Sequence, residues 1–147
     1  MKNHPYLIDG GNAIDDRGCL SFVNNISDLH IKRFYIVENH QEKFVRAWHA
    51  HKQECKFVYV VSGEAKIAAV KVDNWENPSK DLEILSFVLS EKKPNLLYIP
   101  SGFANGSMSL VKNTKIMYFS TSLLSDSQND DFRFNANHWD CWDIEER

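Results

Sequence analysis

The chain has 147 residues, 43% of them hydrophobic and 25% charged, with a formal net charge of −3. That size suits one domain, able to take roughly 68–70% of its unfolded surface out of water. The charge balance excludes the basic footprint of a nucleic-acid or anionic-membrane binder, and no apolar run approaches the ~20 residues that span a bilayer.

The N-terminal Met-Lys-Asn-His-Pro-Tyr lacks the apolar core of an export signal. Cys19, Cys55 and Cys141 are odd in number and form no CxxC pair, so neither a disulfide framework nor a zinc knuckle is expected. A reduced, cytoplasmic setting is the economical expectation.

Asp15-Asp16-Arg17-Gly18 reads as a polar turn closed by glycine, ahead of a short strand at 20–23. Residues 31–37 are rich in β-branched and aromatic side chains, and 44–48 lead into His49-Ala50-His51. Two runs, 57–61 and 65–72, are split by Ser62-Gly63-Glu64, which reads as a hairpin turn. Residues 73–80 form a loop, 82–89 and 96–99 are strand-like, and Pro100-Ser101-Gly102 breaks the chain before strands at 107–111 and 114–119.

Short strands recurring every ~8–12 residues predict an all-β sandwich or barrel of jelly-roll type. Its core is expected at about 15–121, followed at 125–147 by a polar C-terminal arm or short helix that holds Trp139 and Trp142 among acids.

His49 and His51 are two residues apart in extended sequence, so both imidazoles point to one face and into one cavity. Lys56 follows, and a lysine aimed into an interior needs an explanation because an unpaired buried charge is costly. The spacing resembles the first cupin motif, in which two histidines and a glutamate bind a metal, but Lys56 holds the glutamate position. The stretch 99–106, Ile-Pro-Ser-Gly-Phe-Ala-Asn-Gly, resembles the second motif with Asn105 in place of its histidine. With two of four ligand positions replaced, no metal and no other cofactor is expected. A metal-free cavity used for acid–base chemistry fits better.

From about Asp15 to Thr121 the chain resembles the metal-independent cupins that rearrange nucleotide-linked keto-sugars. These are the dTDP-4-dehydrorhamnose 3,5-epimerases and the dTDP-4-keto-6-deoxyglucose 3,4-ketoisomerases. Asp16-Arg17-Gly18 matches the epimerases' Asp-x-Arg-Gly, and Arg46 with His49 matches their Arg-Gly-Leu-His. The spacing from Lys56 to Gly63 and the stretch from Pro100 to Gly106 are also similar to theirs. Arg46, His49, Ala50, His51 and Lys52 match the ketoisomerases' Arg-x-x-His-Ala-His-Lys, and residues 32–35 resemble their Arg-Arg-x-Tyr. Two departures stand out. Leu123 occupies the region of the epimerases' tyrosine acid, and Asn105 replaces a histidine.

The resemblance implies removal of a C–H proton next to a sugar ketone, with return of the proton to give an epimer or the 3,4-isomer. His49 or His51 suits the base role, with an ordinary pKa near ~6.5. Lys56 suits stabilisation of the enolate, and Tyr35 could supply the proton that Leu123 cannot. Arg17 and Arg46 are candidates for the diphosphate, since guanidinium binds phosphate oxygens bidentately. Trp48, Trp75 or Tyr35 could stack on the base or flank the sugar, and Asn105 and Tyr118 complete the expected substrate contacts. Family members are homodimers, so a second copy of this chain is the expected protein partner. Two other readings stay open here: a non-catalytic sugar-nucleotide-binding cupin, and a metal-dependent cupin using His49, His51 and a non-standard third ligand.

Overall fold

Short runs of alternating apolar residues, punctuated by turn residues, become strands throughout the computed structural model, which describes residues 1–147. In order they are β1 (Tyr6–Asp9), β2 (Gly11–Asp15), β3 (Gly18–Phe22), β4 (Arg33–Glu38), β5 (Val45–Ala50), β6 (Lys56–Ser62) and β7 (Glu64–Lys71). There follow β8 (Ile84–Ser90), β9 (Asn95–Ile99), β10 (Phe103–Ser109), β11 (Lys115–Ser120), the helix α1 (Leu124–Gln128) and β12 (Phe132–Arg133).

The strands form two five-stranded sheets, in the orders β1-β9-β6-β11-β4 and β12-β5-β10-β7-β8, plus the separate hairpin β2-β3. All named pairings are antiparallel. The sheets enclose an inner core that includes Val58, Val60, Ile67, Leu89, Leu97, Ile99 and Ile116, drawn from both. This is the all-β sandwich expected from the strand spacing, and it is cupin-like, as the motif resemblance implies.

Three expectations need correction. Gly63 does not close a hairpin: β6 pairs with β11 and β9, whereas β7 pairs with β10 and β8. The chain instead crosses from one sheet to the other there, with Gly63 at φ +77° and packed so close to Thr114 that a Cβ would collide with it. The fold also begins before residue 15, because β1 joins the edge of the first sheet against β9. Its four residues, broken off by Gly10-Gly11, are too short a run to carry a clear alternation.

The third correction concerns the arm, which is more than a polar cover. Its Trp139 and Trp142 are buried against the fully buried Trp48, with ring centroids 5.4 and 5.2 Å away. All three indole N–H groups are satisfied: Trp48 and Trp142 donate to the Ala136 carbonyl and Trp139 to that of Ser79. These rings form an outer core on the face of the second sheet turned away from the sandwich interior. Gly106 makes room for it, since a Cβ there would come within 2.6 Å of the Ala47 Cβ and 2.9 Å of the Trp142 ring. Trp142→Ala is expected to lower the unfolding free energy by about 3–5 kcal/mol in urea titrations.

Candidate functional site

The pairing of β5 with β10 decides which side chains enter the sandwich. Asn105 stands opposite His49 and Ser107 opposite Arg46, so β5 holds one extra residue between the two pairs. Such a bulge shifts the alternation of faces by one position. Ala47 and Trp48 therefore both join the outer core, and Arg46 and His49 both turn inward. Lys56, the first residue of β6, is buried on the same interior. Tyr35 of β4 and Tyr118 of β11 are paired across the sheet with their rings stacked, 5.2 Å apart and 10° from parallel. With Val37, Asn105 and Ser107 these residues line a cavity of about 140 Å³.

Burial sets the protonation of this cavity. It lowers His49 to about 4, with help from the nearby Lys56 and Arg133 charges, so the imidazole is neutral at pH 7. It lowers His51 as well, aided by Lys56 and opposed by Glu54 and Asp130. The Lys56 ammonium is pulled down by burial and held up by the Glu54 carboxylate. Burial raises Tyr35 and Tyr118, which keep their phenolic protons. The cavity thus brings together a neutral base, a cation and two proton donors. That set suits removal of a proton next to a carbonyl, where negative charge develops on oxygen.

Six of the residues singled out in the sequence line this cavity: Tyr35, Arg46, His49, Lys56, Asn105 and Tyr118. Asn105 also fastens β10 to β5, donating from Nδ2 to the His49 carbonyl at 2.9 Å. His51 lies beside the cavity, almost wholly buried, with Nδ1 2.5 Å from the Asp130 carbonyl oxygen. Trp48 is not a substrate platform, because the bulge turns it into the outer core. Arg17 is outside the cavity of its own chain, exposed near the tip of the β2-β3 hairpin and paired with Asp15 at 2.6 Å. Trp75 packs on Phe132, 4.8 Å between ring centroids, beneath the Lys52 ammonium.

Several residues of the site carried no clear signal. Val37 and Ser107 line the cavity, and Ser107 becomes visible only when the β10 strand is extended back to Phe103, two residues before Asn105. Asp130 reads as a solvated turn but binds the backbone N–H groups of Lys52 and Gln53, at 2.8 Å each. A larger groove of about 630 Å³ lies along the arm, lined by Lys66, Val88, Leu110, residues 140–145 and Arg147, and none of the candidate site residues reaches it. Nor do three His, Cys, Asp or Glu side chains converge on a metal-sized site. Beside His49 and His51 the third ligand position is an ammonium, which suits a divalent cation poorly.

Residues 12–142 match the family described as dTDP-4-dehydrorhamnose 3,5-epimerase, which covers most of the chain. The chain belongs to this family. Its members are sugar-nucleotide isomerases, and the keto-sugar resemblance of the sequence is thereby upheld. No curated protein matches the chain by sequence. Among solved structures it is similar to the dTDP-4-dehydrorhamnose 3,5-epimerase from Sulfolobus tokodaii, with 21% identity and a TM-score of 0.77 over 96% of this chain and 82% of that one. It is also similar to the sugar 3,4-ketoisomerase QdtA from Thermoanaerobacterium thermosaccharolyticum in complex with TDP, with 18% identity and a TM-score of 0.70 over 94% and 93% of the two chains. A third likeness is the WlaRB TDP-quinovose 3,4-ketoisomerase from Campylobacter jejuni, at 19% identity and a TM-score of 0.69 over 94% and 98%. At these identities the structures establish the shared fold.

The depressed His49 gives the stability a definite pH dependence. The folded protein holds this imidazole at about 4 while the unfolded chain returns it to near 6.5, so unfolding takes up a proton between those values. Stability is therefore full above about 6.5 and falls as the pH drops towards 4. Urea midpoints measured from pH 7 to pH 4.5 are expected to decline, and less steeply in His49→Gln.

Proposed function

We propose that this isomerase acts on a nucleotide-linked 4-keto-6-deoxyhexose, removing the C3 proton with His49 or His51. The developing enolate oxygen is stabilised by Lys56. The observation that carries this reading is the buried Lys56 side chain, its charge supported by the Glu54 carboxylate, in the same cavity as an imidazole held neutral. A neutral imidazole can accept the proton, and a cation in a low-dielectric wall favours the enolate over the ketone. A volume of about 140 Å³ is well below the ~300–1,000 Å³ of whole drug-sized ligand sites. The sugar ring would enter and the nucleotide would lie along the mouth, with Arg46 placed for the diphosphate.

Return of the proton to C3 from the opposite face gives the epimer, and Tyr35, protonated in the cavity wall, is the proton donor in that reading. Carriage of the proton to C4 leaves the ketone at C3. Proton NMR with dTDP-4-keto-6-deoxyglucose in deuterium oxide tests both. Deuterium at C4 with a new 3-keto product assigns the ketoisomerase reaction; deuterium at C3, or at C3 and C5, with the 4-ketone kept assigns an epimerase. Removal of the bases in a His49→Asn/His51→Asn double variant, or of the cation in Lys56→Met, is expected to lower kcat by about 10²-fold or more. No exchange with any keto-sugar would favour the non-catalytic binding reading.

A homodimer in the cytoplasm is the setting this reading implies. On the outer face of the first sheet, Ile36, Met117 and Tyr59 form one row of cross-strand partners and Phe34, Phe119 and Phe57 the next. Phe34 is 62% and Ile36 50% exposed, an apolar edge that a second copy would cover. A Phe34→Asp/Ile36→Lys variant is expected to sediment as a monomer where the wild type sediments as a dimer. A wild-type monomer would rule this arrangement out.

A further inference from the structure

Glu54 is a buried carboxylate that the reaction as described above does not use. Its side chain is 0% exposed, a placement that is costly unless the charge is paired and hydrogen-bonded. It is both. Arg33 donates from Nη2 to Oε1 at 3.3 Å, and Ser127 of α1 donates from Oγ to Oε2 at 2.5 Å. Arg33 also binds the Ser127 hydroxyl at 3.0 Å and the Ser122 carbonyl at 3.2 Å. The carboxylate is thus fixed between β4 and the C-terminal arm.

The same Oε2 lies 3.5 Å from His51 Nδ1, and the Asp130 carbonyl oxygen lies 2.5 Å from that nitrogen. Neither an ionised carboxylate nor a carbonyl can donate a hydrogen bond, so the shared proton belongs to Nδ1. Nε2 then carries the lone pair and makes no hydrogen bond within the chain. It is not sealed away, since the buried side-chain polar atoms without partners are Asn39 Oδ1 and Asn95 Oδ1.

We propose that Glu54 is a positioning residue for His51, keeping the proton on Nδ1, leaving Nε2 free as the base, and stabilising the imidazolium that forms. The Asp130 carbonyl orients the ring, and Glu54 supplies the full negative charge. In the step it serves, Nε2 takes the substrate proton and the C–H electron pair moves to the ketone oxygen as enolate. The imidazolium then delivers its proton to C4, or loses it to solvent while Tyr35 protonates C3 from the opposite face. Around His51 the charges are mixed: Lys56 disfavours the imidazolium, Glu54 and Asp130 favour it, and Arg33 neutralises part of Glu54.

The catalytic half of this inference rests on the isomerase reading, so the first measurement uses the free protein. Long-range 1H–15N spectra across a pH titration report both the tautomer and the midpoint of His51. Wild type is expected to show the Nδ1–H tautomer. Glu54→Gln is expected to lower the His51 midpoint by about one pH unit or more, and to lower kcat by about ten-fold with KM within about two-fold. Ser127→Ala, which frees the carboxylate without removing its charge, is expected to shift the midpoint in the same direction by less. An Nε2–H tautomer in wild type, or a Glu54→Gln midpoint equal to wild type, overturns the proposal. A merely structural Glu54 would weaken stability without moving that midpoint. Should Glu54→Gln not fold, an unmoved midpoint in Ser127→Ala overturns it. The expected tautomer and shift without turnover of any keto-sugar would uphold the Glu54–His51 pairing and count against the isomerase reading alone.

Discussion

Between Arg46 and His49 the β5 strand holds one residue more than the β10 strand opposite it. In a regular strand these two side chains, three positions apart, would face opposite sides of the sheet. The bulge lets a guanidinium and an imidazole share one cavity and sends Ala47 and Trp48 together to the other side. The irregularity is held from both directions. Asn105 binds the His49 carbonyl within the sandwich, and Gly106 admits the Trp142 ring outside it. A β-bulge beside a reactive site re-aims side chains in this way without disturbing the sheet at large.

The second constraint is electrostatic. Lys56 and Glu54 are buried, and Arg33 reaches in from a largely covered position. Isolated, the lysine or the glutamate would be driven to neutrality in a low-dielectric interior, whereas the guanidinium keeps its charge. Together they form a set in which Glu54 supports Lys56 as well as His51. The cations outnumber the anion in this group, and Arg46 adds a further positive charge at the cavity. A positive interior is matched to an anion that exists only part-way through a reaction, and a buried ammonium cannot be screened by salt as a surface charge is.

The strands, the histidine pair and Lys56 were legible because each depends on local pattern: alternation, short turn signals, and same-face spacing at i and i+2. What failed was non-local. Ser62-Gly63-Glu64 has the composition of a hairpin turn, and only the partners of β6 and β7 reveal a crossing between sheets. Trp48 looked available because nothing in the sequence marks a bulge. Arg17 satisfies its charge on Asp15 in its own turn, a local bond that the family motif does not express. Glu54 lies more than seventy positions before Ser127 and Asp130, and single polar residues at such distances have no periodicity to join them.

The arm explains why its polar composition was misleading. Trp139 and Trp142 complete the outer core, while Ser127 and Asp130, from α1 and the residue pair after it, meet Glu54 and His51 beside the cavity. One segment therefore serves two clusters on opposite faces of the second sheet. Its ladder with β5 pairs Phe132 with Ala50 and Arg133 with His49, and is extended by reciprocal backbone hydrogen bonds between Phe134 and Trp48 at 3.0 and 3.1 Å. So short a ladder contributes little by itself, and docking rests on the tryptophans. Their burial holds β12 against β5, and β12 in turn holds Asp130 under His51. Stability in the outer core and order at the base are thus the same free energy, expressed on two sides of one strand.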